Sequence, residues 1–134
     1  MNSPSLRNRY LTDTVATASP AQLVVMLYDR LVLDLVKAEE ALLAGDREDA
    51  SARLQHAQDI VIELRASLDV AAGWDGAAGL AELYGFLLTT LIQANVRADA
   101  ALAVTCRGLV EPLRDAWRAA AAEAGAAGPA ARVG

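Results

Sequence analysis

The sequence has few of the residues that do chemistry. It holds a single cysteine, Cys106, so no internal disulfide can form, and a single histidine, His56. Zinc needs several Cys or His ligands at close spacing, and a di-metal helical bundle needs inward Glu-x-x-His pairs on two helices. Neither pattern occurs, so no metal or cofactor is expected. A basic cluster is also missing. The net charge of −5 has the wrong sign for a phosphate backbone, which excludes nucleic acid as the expected partner. No apolar run reaches about 18 residues free of charge, so stable membrane insertion is not expected. The opening MNSPSLRNRY lacks the apolar core of a signal peptide. With the unpaired cysteine, this places the chain in the cytoplasm.

What the sequence does have is helical periodicity, and it begins sharply at TASPAQLVVMLYD, from Thr17 to Asp29. Ser19 is a strong N-cap, Pro20 suits the first helical position, and Gln22 completes a capping box. Ala18 and Leu23 are spaced for a small hydrophobic staple. In the helix that follows, Val24, Tyr28, Leu31, Leu35, Ala38 and Leu42 form a seam at alternating four–three spacing. Val25, Val32, Val36 and Leu43 make a second apolar line, and Gln22, Arg30, Asp34, Lys37 and Glu40 fill the remaining arc. The apolar arc spans roughly 220°, whereas one buried stripe needs roughly 100° or more. Either neighbouring helices cover both lines, or one faces a partner.

Residues 1–18, ahead of this helix, form an arm. It is polar through Asn2, Ser3, Arg7, Asn8 and Arg9, but Leu6, Tyr10, Leu11 and Val15 give it apolar teeth. It reads either as a free terminus or as a cover laid over an apolar groove. Gly45 ends the first helix and Asp46 caps a second, with Glu48 and Asp49 in its first turn. The second seam is Ala50, Leu54, Ala57, Val61, Leu64 and Leu68, with Ile60 and Ile62 off it. Asp69 to Gly79 reads as a mobile loop around Trp74. Its Gly73, Gly76 and Gly79 make no nucleotide fingerprint, since no strand precedes them. A third helix from about Ala77 to Val96 carries Leu80, Tyr84, Leu87, Leu91 and Ala94, widened by Phe86, Leu88 and Ile92. A fourth starts near Asp99, with Leu102, Cys106, Leu109, Leu113, Ala116 and Ala120 as its seam and a kink expected at Pro112. Gly125, Gly128 and Pro129 are expected to end it. The expected fold is all-α, an antiparallel four-helix bundle over residues 19–122, with the arm at 1–18 and a disordered tail at 123–134.

No catalytic set emerges, and the chain is read as a non-enzyme. Cys106 lies on a seam and reads as a small buried apolar residue. Asp29 follows Tyr28, and Asp59 and Glu63 share a face at i, i+4; both arrangements read as structural. Surplus apolar surface points to a protein partner, and the structural alternative is a homo-oligomeric helical-bundle module, a homodimer in the absence of a client.

The opening helix carries a more specific signal. Tyr10, Val15, Thr17, Ser19, Pro20, Leu23, Met26, Leu27, Tyr28 and Asp29 fit Y-x4-V-x-T-x-S-P-x2-L-x2-M-L-Y-D. This resembles the flagellin-specific secretion chaperones, the FliS family. The similarity continues in AQDIVIELRASLD from Ala57 to Asp69, in Leu83 and Tyr84, in Ile92, Ala94 and Asn95, and in LRDAW from Leu113 to Trp117. It departs at Arg30, where the family often has a small residue, and at Pro112. The resemblance implies a cytoplasmic helical bundle without cofactor. Such a chaperone binds the C-terminal segment of flagellin in apolar grooves, prevents premature polymerisation and delivers the subunit to flagellar export gate components of the type III apparatus. An arm tyrosine matched by Tyr10 can occupy part of the groove when flagellin is absent. An amphipathic client laid into a groove would meet Val25, Met26, Val32, Leu33 and Val36 of the first helix, with Ile60 and Ile62 of the second. Leu6, Tyr10 and Leu11 would form the lid.

Overall fold

The computed structural model describes residues 19–70 and 76–133. The expectations for the arm, the lid residues Leu6, Tyr10 and Leu11, and Trp74 lie outside them. Four helices follow in order: α1 Pro20–Ala44, α2 Arg47–Val70, α3 Ala77–Arg97 and α4 Ala100–Val133. They form an all-α bundle, with no strand among the described residues.

The ends of the helices follow from local chemistry. The Gln22 amide donates to Ser19 Oγ at 3.1 Å, and the Ser19 amide donates to Gln22 Oε1 at 2.9 Å, the expected capping box. Gly45 closes α1 in the left-handed region at φ 78°. Its amide donates to the Leu42 carbonyl, and the next amide, of Asp46, donates to that of Ala41. Asp46 Oδ1 then accepts the Asp49 amide at 3.1 Å and opens α2. The α3–α4 turn repeats this design with an alanine in place of the glycine. Ala98 sits at φ 51°, and Asp99 Oδ1 accepts the Ala101 amide at 2.9 Å. These two tight turns lie at one end of the bundle, where Arg47 donates to the Asn95 carbonyl across the gap.

Each helix packs most closely on its neighbours around a ring, with α1–α4 the most extensive contact and α3–α4 the least. Ion pairs from Arg118 to Asp29 at 2.6 Å and from Arg107 to Glu39 at 2.8 Å join α4 antiparallel to α1. The core is built on the expected seams in α1, α2 and α3: Tyr28, Leu31, Leu35 and Ala38; every residue of the α2 seam; and Tyr84, Leu87, Leu91 and Ala94 are buried. Val24, Leu42 and Leu80, at the ends of the seams, are half-buried.

The structure differs from expectation at three places. In α4 the buried line is Ala103, Cys106 and Val110, continued by half-buried Leu113 and Trp117, while Leu109, Ala116 and Ala120 are exposed. Two apolar lines run side by side there, and Leu109, Ala116 and Ala120 lie on the outer one. Ile60 is buried in the core although it sits beside the α2 seam. The last helix continues through Gly125, Gly128 and Pro129 to Val133, beyond the end expected from those three residues. By length and composition α3 could cross a membrane, with 28% of that stretch buried; Tyr84, Leu87, Leu91 and Ala94 form its buried face, while Phe86, Ile92 and Val96 are exposed.

Candidate functional site

Two polar arrangements lie inside the apolar bundle, and both involve α1. The first joins three helices through its centre. The phenols of Tyr28 and Tyr84 share a hydrogen bond of 2.7 Å between α1 and α3, and Trp117 of α4 is a further hydrogen-bond partner of Tyr28. Desolvation raises both phenols above their ordinary range, and for Tyr28 the hydrogen bond to Tyr84 adds to it. They are neutral structural links. Desolvation likewise pushes the Cys106 thiol up to about 12, so Cys106 is an inert core residue.

The second arrangement is at the α1–α2 seam. Asp34 is fully buried. Its Oδ2 hydrogen-bonds to His56 Nδ1, and its Oδ1 lies 3.5 Å from a guanidinium nitrogen of Arg53 and 4.0 Å from Arg30 Nε, without a hydrogen bond of its own. A carboxylate is costly to bury, and the cations around it offset that cost. Sequence reasoning put Asp34 in the polar arc of α1 and gave His56 no role; the register of α2 against α1 brings them together.

His56 and Arg30 also form one end of the site with the best claim to function, an open groove between α1 and α2. Its apolar floor comes from Leu23, Met26 and Leu27 of α1 and Ile60 of α2. Its polar rim is Arg30 on α1 and His56, Asp59, Glu63 and Ser67 on α2. These positions recur at i, i+3 or i+4 on each helix, so each set makes one stripe. Met26 is half-exposed and outside the core cluster, whereas Ile60 is core and groove wall at once.

Of the residues expected to meet a client, the groove brings together Met26 and Ile60. Val32 is buried in the core, and Val36 is half-buried against it. Val25 is half-exposed, and Leu33 and Ile62 are exposed, but none of these three lines the groove. Leu23, Leu27, Arg30, His56, Asp59, Glu63 and Ser67 were not singled out for this role. The i, i+4 pairing of Asp59 and Glu63 was the available signal, since it continues the face of Ile60. Phe86, Ile92 and Val96 on α3, with Val104 on α4, are further exposed large apolar residues. Among the described residues no group of three or more His, Cys, Asp or Glu side chains could hold a metal ion.

Comparison with known proteins is consistent over most of the length. The family model described as flagellar protein FliS matches residues 2–124. The flagellar secretion chaperone FliS of Salmonella typhimurium is 37% identical over 105 residues, 78% of each chain. That of Bacillus subtilis is 31% identical over 111 residues, 83% of this chain and 82% of its own, and that of Escherichia coli is 31% identical over 105 residues, 78% and 77%.

Proposed function

The chain belongs to the FliS family of flagellar proteins, and from that premise we propose that it is a cytoplasmic flagellar secretion chaperone whose client is the C-terminal segment of flagellin. Its task is to hold that segment in apolar grooves, to keep it from polymerising early, and to hand the subunit to the type III export gate. It acts by binding alone, as a non-enzyme. The observation that carries this reading is the α1–α2 groove, whose floor of Leu23, Met26, Leu27 and Ile60 comes from two of the stretches that carry the family resemblance.

The groove suits such a client physically. A disordered segment that folds on binding must offset its own ordering, which requires a broad apolar contact. Met26 adds an adaptable surface. Leu6, Tyr10 and Leu11 of the arm are proposed as the lid that shields the groove without client, and Val25, Leu33 and Ile62 as outlying contacts.

Co-expression with the flagellin of the same genome, followed by pull-down with and without the C-terminal segment, tests the proposal. Binding is expected only with the segment, with a negative heat-capacity change. Equal capture of flagellin lacking the segment would overturn the central claim. Met26→Asp is expected to weaken binding roughly tenfold or more, a loss on the scale of one buried apolar side chain, while circular dichroism stays helical.

A further inference from the structure

One polar group on the groove rim is held in place by the interior of the bundle. The side chains of Asp59, Glu63 and Ser67 make no hydrogen bond or ion pair among the described residues. His56 is different. Its Nδ1 hydrogen-bonds to Oδ2 of Asp34, a residue with no exposed surface. That bond leads inward, so the 44% of the His56 side chain that stays exposed is the rest of the ring, and the ring lines the groove. Nε2 has no partner among the described residues and is open to water, whereas Asp34 Oδ1, equally without a hydrogen bond, is closed off.

A carboxylate accepts hydrogen bonds and donates none, so the proton between the two residues sits on Nδ1. The bond made by one ring nitrogen fixes the state of the other. In the neutral ring Nε2 is then a bare acceptor. Arg30 and Arg53 lie 4.0 Å and 3.5 Å from Asp34 Oδ1, and Asp59 follows one turn along α2. Two guanidiniums on the same carboxylate disfavour a further cation, so the complement of Nε2 is an uncharged donor. We propose that His56 is a specificity-determining residue of the groove: its Nε2, kept an acceptor by Asp34, takes a hydrogen bond from a hydroxyl or carboxamide side chain of the client. This rests on the chaperone reading and adds to it a chemical choice that the apolar floor cannot make, because hydrophobic contact is non-directional. A segment without the donor covers Nε2 and leaves it unpaired, which is worse than a contact merely absent. Asp34 touches no client and acts as a positioning residue.

His56 is the only histidine, so the tag-free full chain, nitrogen-labelled for NMR, gives a single imidazole to follow. The probe is the unlabelled C-terminal segment of the flagellin from the same genome. In mildly alkaline buffer the free chain is expected to show Nδ1 protonated and Nε2 bare, and saturation with the segment to move Nε2 while Nδ1 stays nearly still. A proton on Nε2 in the free chain, or an Nε2 signal that saturation leaves in place, overturns the proposal. Two replacements separate recognition from support of the fold. In His56→Asn the amide still donates to Asp34 but nothing stands where Nε2 was. In His56→Gln an amide oxygen reaches that place while Asp34 loses its donor. His56→Asn is expected to weaken binding roughly five- to tenfold, the scale of one hydrogen bond, and to bind less tightly than His56→Gln, although urea unfolds His56→Gln first. If binding instead follows stability, or if His56→Asn binds like the unaltered chain, His56 only props the fold and the proposal falls, while the chaperone reading stands. Changing each Ser, Thr, Asn and Gln of the segment in turn to Ala should cost affinity at one position on the unaltered chain and not on His56→Asn; a segment with no such position overturns the proposal too. A segment that does not bind the unaltered chain at all defeats the chaperone reading itself.

Discussion

At the scale of single residues, the polar groups inside this bundle predict more than its leucines do. Asp34 has no exposed surface, while the side chains of Arg30, Arg53 and His56 are 52%, 34% and 44% exposed. Removing the carboxylate leaves guanidinium groups that still reach water; removing Arg53 together with the His56 hydrogen bond strands a buried charge. Asp34→Asn is therefore expected to cost about 1 kcal/mol or less, and Arg53→Gln with His56→Gln about 3 kcal/mol, measured by urea denaturation. Burial raises Tyr28 and Tyr84 above 10.0 and Cys106 from 9.0 to about 12. The folded chain keeps these protons at a pH where the unfolded chain has released them. Stability should thus be complete below pH 9.0 and fall as pH rises through 9.0 and 10.0. Tyr28→Phe and Cys106→Ala should each flatten that slope. The burial of Asp34 was illegible in the sequence, because nothing on α1 alone distinguishes it from Arg30 or Lys37. Its partners depend on where Arg53 and His56 fall after the turn at Gly45.

At the scale of elements, the helix ends were the most legible feature, since capping is local chemistry. Ser19, Gln22, Gly45 and Asp46 all act as their residue types require. Ser19→Ala is expected to cost about 1 kcal/mol. Ala98 carries a left-handed backbone that glycine adopts freely. Ala98→Gly should raise stability by a few tenths to about 1 kcal/mol, seen as a higher Tm. The six residues of the α2 seam were read correctly because most of their neighbours are polar; Ile60, an apolar residue beside the seam, is the one that joins the core unannounced. In α4 the alanine-rich stretch offers two faces of similar apolarity, and large residues such as Leu109 drew the seam outward from Ala103 and Val110. The α1 side of the groove was legible only at Met26, for the same reason: Val25, Met26 and Leu27 are all apolar, and periodicity cannot say which of them meets a partner.

At the scale of the whole molecule, the all-α bundle was legible because four amphipathic segments joined by short turns leave few other architectures. Leu31, Leu64 and Leu91 are buried, and changing any of them to Ala is expected to cost about 2–5 kcal/mol in equilibrium unfolding. Half-buried Leu113 should cost less. The turns at Gly45–Asp46 and Ala98–Asp99 also set a timetable. Each lets two consecutive helices collapse on one another with almost no loop to close, whereas α1 can meet α4 only after most of the intervening sequence has been gathered in. Two helical hairpins are thus ready early, and the broadest contact in the molecule closes late. In stopped-flow experiments Leu54→Ala, inside the first hairpin, should mainly slow refolding, and Val110→Ala on α4 should mainly speed unfolding. A nascent chain would have its α1–α2 groove assembled before its last helix had been translated.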